Sequence, residues 1–558
     1  MRQDERLYKA YLEEIHALET FKIANGGLYK GVFDELSEDP HTKRLIETLA
    51  FFMARNKIHG EQRIVQFYQR LFREYFPFLS NPLPSMGMIA IHPSLDLPEK
   101  IQLKEGSEIA FLTGEGRRAY FQTLAPVTLL PIQLHKFNLA PADGGLRASF
   151  QFQARAMRGE QIGEFKLYIN HLGYLPSSLS LKLALQSLLE RIEVSYATGE
   201  PSELRGEVCP FSFEEVRSST LLSHPVEEVS SRLHLPEQEQ FIKIQLPPHN
   251  GRWRAFTLIV FIKESWPKEL ILTRDSLIPF VTPIVNLKRQ VAEPIRVDGT
   301  KDSYPILHPQ PDDEFVMQSH LGVYETQHGH VVPIKPGVLT HEKGTYDIES
   351  LDPFGLPRYR ILFNFKDVLH HPKLISVDAL WTQPWFSNYL DKEIKPKLIN
   401  QSISGLDLRL IGKLAPYEHQ AASYDMAYFA RVLALKNRFE LDLEEVFFLF
   451  DRLKRGGQSY FREIPGLTKE LKIIKIPNTL SSATTSMEYH FRLEEWDGKN
   501  WELVVLYFKH LRTFLNSWLV NSEIEVKVSS SRIKNEIILK NGQDHEISAL
   551  ARTFFLSQ

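Results

Sequence analysis

The hydrophobic period of this chain changes near residue 76, and that change divides what it can fold into. Before it, Leu7, Tyr11, Ile15 and Leu18 recur three or four residues apart, with Arg6, Lys9, Glu13 and Glu14 largely turned away, as on an amphipathic helix. Gly26 and Gly27 interrupt the pattern. It resumes after Asp39 with Leu45, Ile46, Leu49, Phe52 and Met53, and again with Ile64, Phe67, Tyr68, Leu71 and Phe72, so three helices are expected here. Asp39 stands where it can N-cap the second helix, and Pro40 occupies the first helical position, where its missing N–H costs nothing. The joint FPFLSNPLPSM, residues 76–86, carries Pro77, Pro82 and Pro84, which cannot continue a helix and should hold the chain extended. Beyond it the period is two.

The stretches MGMIAIH, SEIAFLT, YFQTLAPVTLLPIQL, ASFQFQA and EFKLYINH each read as a strand with turn residues between them. Closely spaced strands predict an antiparallel sandwich, interrupted by one helix over about residues 179–191. Residues 201–249 are rich in Glu, Ser and Pro with weak periodicity, and read as a loop-rich insertion. Strands resume with RAFTLIVFIK and continue through TPIVNLKRQVAEPIRVD, residues 282–298, in which Pro283 and Pro294 bracket short apolar runs. The last region alternates amphipathic helices (424–453 and 501–520) with the strands SMEYHFRLEEW, EIEVKVSS and NEIILK. A chain of 558 residues exceeds one core. The expected class is α+β multidomain. It comprises an N-terminal helical segment (1–80), antiparallel β-sandwich-like domains (85–270 and 271–404, the second with long loops) and a C-terminal mixed α+β region (405–558).

A formal net charge of −3 argues against a chain-wide nucleic-acid or membrane-surface role. The single cysteine, Cys209, excludes an intramolecular disulfide and any all-cysteine metal site, and reads as a small buried apolar residue. The charged start MRQDERLYKAYLEEI lacks the pattern of a secretion signal, and no run reaches the ~18 apolar residues of a membrane span. A cytoplasmic protein is expected.

His328 and His330, with His341 and Glu342, form the best metal candidate, although Gly329 makes a turn between strands the simpler reading. His370 and His371 would face opposite sides of a strand. There is no G-x-S-x-G elbow, and Gly114 and Gly116 in LTGEGRR lack the Lys-Ser/Thr of a phosphate loop. Asp312 and Asp313, like Glu214 and Glu215, fall in polar loops, and Lys454, Arg455 and Gly456 read as a helix end. No catalytic, cofactor-binding or metal-binding residues are therefore expected.

DPHTKRLIETLAFFMARN, followed by FYQRLFREYFPFLSNPLPSM, closely resembles the N-terminal signature of the TssF (ImpG, VasA) family of type VI secretion baseplate subunits. TPIVNLKRQVAEPIRVD and SYPILHP are similar to a second stretch of that family, and YFQTLAPVTLLPIQL to a strand pattern between them. The resemblance covers roughly residues 1–310, is weak over 201–249 and does not reach the C-terminal third, as in a divergent member. On it, Asp39, Pro40, His41, Arg44, Pro283, Asn286, Glu293, Pro294 and Arg296 are signature residues with structural roles.

The resemblance implies a non-enzymatic wedge protein of a phage-tail-like contractile machine, cytoplasmic and assembled at the inner face of the membrane. Two copies would join one TssG, with TssK, TssE and the spike protein VgrG as further partners. Leu7, Tyr11, Ile15, Leu18, Leu45, Leu49 and Phe52 are the expected contacts with TssG and the second copy, and Pro77, Pro82 and Pro84 a hinge. The competing class is a carbohydrate-binding or hydrolytic β-sandwich protein, for which Trp381, Trp385 and Phe386 would have to form an exposed platform.

Overall fold

The computed structural model describes residues 3–25, 40–142, 144–199, 206–213, 224–327, 329–337, 342–350, 358–365 and 371–389. Further along it describes 394–399, 405–418, 426–436, 438–451, 453, 460–476, 485–494, 496, 500–519, 522–530 and 537–539. The chain divides into two units, Met1–Pro77 with Ala422–Arg431, and Phe78–Ala421 with Val432–Gln558.

The first unit is built on an antiparallel pair of helices, Gln3–Asn25 and Pro40–Tyr75. The second runs unbroken where two helices were expected. Gly60 at its centre costs only ~1 kcal/mol relative to alanine, and Met53 and Ile64 lie about three whole turns apart, so both apolar stretches share a face. Lys57 Nζ lies 3.2 Å from Glu13 and 3.6 Å from Glu14, and Arg6 lies 3.9 Å from Glu61. Ala10, Ala50 and Ala54 are buried; side chains this small let the two helices approach closely. At the end of the long helix the Phe72 ring packs 4.8 Å from Phe429. Asp39, Gly26 and Gly27 lie outside the described residues.

The proline joint is not extended throughout. Pro77–Ser80 makes a helical turn, since a proline at the first helical position has the required φ. In the second unit Phe78, Leu79, Pro82 and Pro84 are buried, Phe78 stacks on His224 at 4.1 Å, and Leu83 exchanges backbone hydrogen bonds of 3.0 and 2.9 Å with Glu418.

The second unit has three antiparallel sheets around one core. The six-stranded sheet runs Lys395–Leu398, Glu108–Leu112, Arg118–Thr123, Val281–Val285, Met86–Pro93, Leu406–Ala415. A five-stranded sheet is centred on Trp253–Lys263 between Gly145–Arg158 and Leu189–Ala197, and a four-stranded sheet carries Phe241–Gln245 and Glu164–Ile169. Ile89, Phe121, Phe152, Phe165, Leu185 and Phe256 share the core, so the buried helix Leu175–Leu188 belongs to it as well.

The strand Val281–Val285 leads out of this body into a second sandwich. Its two sheets, one holding Val316–Gln327 and Lys373–Thr382 and the other Thr345–Ser350 and Tyr359–Asn364, enclose Val323, Ile361, Val377 and Trp381. The chain then returns and adds Lys395–Leu398 and Leu406–Ala415 to the first sheet. The second sandwich is thus inserted into the first, not appended to it.

Within 201–249, the described residues 206–213 and 224–249 hold regular structure that their composition does not suggest. They contain the helix Pro225–His234, with Pro225 in its first turn and the His224 imidazole accepting from Val226 N–H. They also contain the strands Glu207–Cys209 and Phe241–Gln245. Near the C-terminus, Thr485–Leu493 and Ser522–Ser530 pair in parallel, which requires a crossover, supplied by the largely buried helix Trp501–Trp518.

Three of these helices meet at one carboxylate. Glu239, 1 % exposed, lies 3.3 Å from Arg232 on Pro225–His234, and 3.7 and 3.4 Å from Lys509 and His510 on Trp501–Trp518. Lys182 on Leu175–Leu188 donates to the Glu239 carbonyl at 2.6 Å. Burial alone would raise the Glu239 pKa, but His510, Lys509, Arg232 and Lys182 outweigh it and hold the group well below the carboxylate range. Burial also pushes His510 down, from 6.5 to about 4.

A histidine with a lowered folded pKa binds fewer protons folded than unfolded. Its stabilising share is complete above pH 6.5 and is lost as pH falls toward about 4. Urea titrations of the whole chain should therefore show stability declining across that window, with a shallower slope in His510→Gln. His308, pushed down to about 4 as well, will keep the slope from vanishing. Glu239→Leu should cost about 3–5 kcal/mol at neutral pH, because it strands buried cations.

Candidate assembly surface

The seven residues expected to meet partners divide between two faces of the helix pair. Leu7, Tyr11, Ile15 and Leu18 are half-buried on the face that also holds Ala10 and Glu14, the latter bonded across to Lys57. Their first role is to close the pair. Leu45, Leu49 and Phe52 are 70, 50 and 53 % exposed and line up on one stripe of the long helix, with Ile46 and Met53 beside them. Tyr8, Leu12 and Phe21 on the first helix, and Ile64 and Phe67 on the second, are exposed too. Ile64 and Phe67 belong to the periodic apolar pattern, whereas Tyr8, Leu12 and Phe21 are apolar residues outside it, which an amphipathic reading with a single apolar face passes over.

Of the expected hinge residues, Pro82 and Pro84 are buried in the second unit and Pro77 is half-buried where the two units divide. Among the signature residues, Pro40, His41, Arg44, Glu293, Pro294 and Arg296 are exposed, Pro283 is buried, and Asp39 lies outside the described residues. Arg289 pairs with Asp378 at 2.7 Å.

Asn286 sits where the chain passes from the body into the inserted sandwich, and Gln383 where it returns. The Asn286 amide donates to the Tyr120 carbonyl at 2.8 Å, and its oxygen accepts from the Thr382 hydroxyl at 2.8 Å and Gln383 N–H at 2.7 Å. The Gln383 amide donates in turn to the carbonyls of Arg118 and Asp313, at 3.0 and 2.9 Å, and accepts from Tyr120 N–H at 2.8 Å. Two buried amides thereby clamp both crossing segments to the strand Arg118–Thr123.

The other candidates do not converge. Trp381, Trp385 and Phe386 are buried in the two sandwich cores, so they form no exposed platform. His330 is exposed and Glu342 pairs with Lys335 at 3.2 Å, while His328, His341 and His370 lie outside the described residues. Among the described residues no His, Cys, Asp and Glu cluster has the geometry of a metal site. Gly116, at φ +80°, closes the hairpin after Glu108–Leu112, with the Arg117 guanidinium 3.8 Å above Trp385. Cys209 is buried, and burial pushes its thiol up to about 12. Residues Glu214, Glu215, Lys454, Arg455 and Gly456 lie outside the described residues.

The chain is thus an α+β multidomain protein, with a helix pair that exposes apolar side chains and a body of nested sandwiches. Comparison with known proteins supplies the family. The model of the family described as "Type VI secretion system, TssF" matches residues 16–206 and 223–343, and the chain belongs to that family, a structural component of the type VI secretion baseplate. The match extends beyond residue 310 and leaves out only 207–222 of the stretch expected to be weakly related.

A chain in a solved structure of the type VI secretion system TssK-TssF-TssG baseplate subcomplex is similar in fold, with a TM-score of 0.72 at 15 % identity. That likeness covers 90 % of this chain and 99 % of the other. A chain from the baseplate complex of the type VI secretion system gives 0.58 at 14 %, covering 95 and 98 %. No curated protein matches in sequence. Among the described residues no helix is long and apolar enough to cross a membrane.

Asn286→Ala should leave the Thr382 hydroxyl and Gln383 N–H without their acceptor. Each stranded buried group costs about 1–3 kcal/mol, which chemical denaturation of the whole chain would register. Asn286→Asp should cost at least as much at neutral pH, because it buries an uncompensated carboxylate against the Tyr120 carbonyl.

Proposed function

We propose that this chain acts as a wedge scaffold, without catalysis of its own, and that the exposed stripe of its long helix is where a TssG-family subunit and a second copy of the chain pack. The observation that carries this reading is the outward-facing Leu45, Leu49 and Phe52 stripe with its apolar neighbours on both helices. Contiguous apolar surface of this kind marks an interaction site in a soluble protein. Helices that leave such a stripe uncovered can complete a bundle only with helices from elsewhere.

The likeness to a chain from a TssK-TssF-TssG subcomplex supports TssG and TssK as neighbours. Family membership extends the proposal to TssE and the spike protein VgrG, and to assembly at the cytoplasmic face of the inner membrane. Bending between copies in unequal surroundings would centre on Pro77, because Pro82 and Pro84 are packed into the body.

The structure changes which substitutions test this. Charges at Tyr11 or Ile15 would break the helix pair itself. Leu45→Asp combined with Leu49→Asp and Phe52→Asp should abolish co-purification with the cognate TssG while leaving the far-ultraviolet circular dichroism and melting temperature of the isolated chain unchanged. Retained co-purification would refute the interface.

A further inference from the structure

The second unit holds a cavity of about 420 Å³, within the ~300–1,000 Å³ of ordinary ligand sites. Its wall is formed by the end of Leu406–Ala415, the turn after Pro225–His234 and the loop before Leu175–Leu188. Among the residues lining it are Glu237, Glu418, Tyr168 and Tyr460, with the Glu418 carboxyl 3.8 Å from the His234 imidazole. Burial first, then the charge of Glu237, pushes both phenols up. Burial also raises Glu237, and its own backbone N–H is the group that opposes the shift. Lys413, on the wall, is exposed.

The lip of the cavity carries a second, independent feature. Tyr174 N–H donates to the His171 carbonyl at 3.1 Å, closing a turn whose central residues, Leu172 and Gly173, have φ of +56° and +66°. That is the pattern of a type I′ turn, which calls for Gly or Asn at both places. A leucine there is strained, and this one is also 82 % exposed. Ser178 Oγ, accepting from His171 N–H at 2.9 Å, pins the turn to the following helix. Tyr174 and Tyr460, 55 and 42 % exposed, stand close by in sequence or on the wall. Local backbone preference argues against this leucine and solvation argues against its exposure, so neither explains its placement.

We propose that the cavity receives an arginine side chain from a neighbouring protein, with apolar residues on either side of that arginine seated on Leu172, Tyr174 and Tyr460. A guanidinium offers five donors in a plane, enough to bridge two carboxylates, and its flat face suits a phenol ring. Its charge would offset the penalty that burial places on Glu237. The apolar lip selects a peptide segment over a free small cation. This inference concerns the second unit alone, and it stands or falls independently of which subunit packs on the helix stripe.

The test uses the full-length chain and the peptide acetyl-Leu-Arg-Leu-amide, followed by titration calorimetry and ligand-observed NMR. Saturable binding is expected, weakened at least tenfold when citrulline replaces arginine, and equally by Glu237→Gln. Leu172→Gly should raise the melting temperature by relieving the strained φ, yet weaken the peptide several-fold. Equal binding of the citrulline peptide, or no saturable binding, would overturn the proposal. So would an unchanged affinity in Leu172→Gly, or arginine amide alone binding as tightly as the peptide.

Discussion

The buried carboxylate of Glu239 is the interaction on which the arrangement of the second unit depends. Removing a carboxylate from water is unfavourable by several kcal/mol, and only close, well-placed cations offset it. Here they come from three helices: Lys182 and Arg232 from the two that belong to the first sandwich and its connection, Lys509 from the C-terminal crossover. Apolar side chains of equal volume would hold these helices with similar strength. They would not specify one geometry, because apolar contact tolerates sliding and a charge surrounded on several sides does not. The crossover helix is thereby fixed against the body, and with it the parallel strand pair that it joins.

A neutral counterpart operates at the neck of the inserted sandwich. Asn286 and Gln383 lie at the two crossings between body and insert; Asn286 satisfies the Gln383 N–H and the Tyr120 carbonyl, and Gln383 the Tyr120 N–H and the carbonyls of Arg118 and Asp313. Buried backbone groups that lose their ladder partners at such a crossing would otherwise be stranded. An amide suits the task because it donates and accepts at once. The long loops of the insert can then vary without loosening its attachment, which suits a scaffold with several neighbours.

The two helices of the first unit answer a different demand. Ala10, Ala50 and Ala54 bring them close, and Lys57 bridges to Glu13 and Glu14, but two helices cannot enclose a core. Large side chains remain outside on both.

Much of this could be read along the chain. Short apolar or alternating runs marked Met86–Pro93, Glu108–Leu112 and Glu164–Ile169 as strands, and the three-and-four spacing marked the terminal helices, because the period of apolar residues follows the geometry of the element. The chain also carried its family signature in residues that do no chemistry. Boundaries that depend on distant partners were not legible. The helix Pro225–His234 looked like a loop because three apolar residues, Val226, Val229 and Leu233, suffice once other elements cover them. The long helix seemed broken because Gly60 is a local preference that its surroundings override. Pro82 and Pro84 read as a free hinge, yet they are buried, since proline restricts φ but says nothing about what packs on it. Sequence alone therefore determined most of the elements, the small net charge of −3 and the family. Tertiary structure decided that one sandwich is nested within another, that Leu7 and Leu45 serve different faces, and that Glu239 meets cations from three helices. Those outcomes depend on which distant segments share a neighbour, and periodicity along one segment carries no record of that.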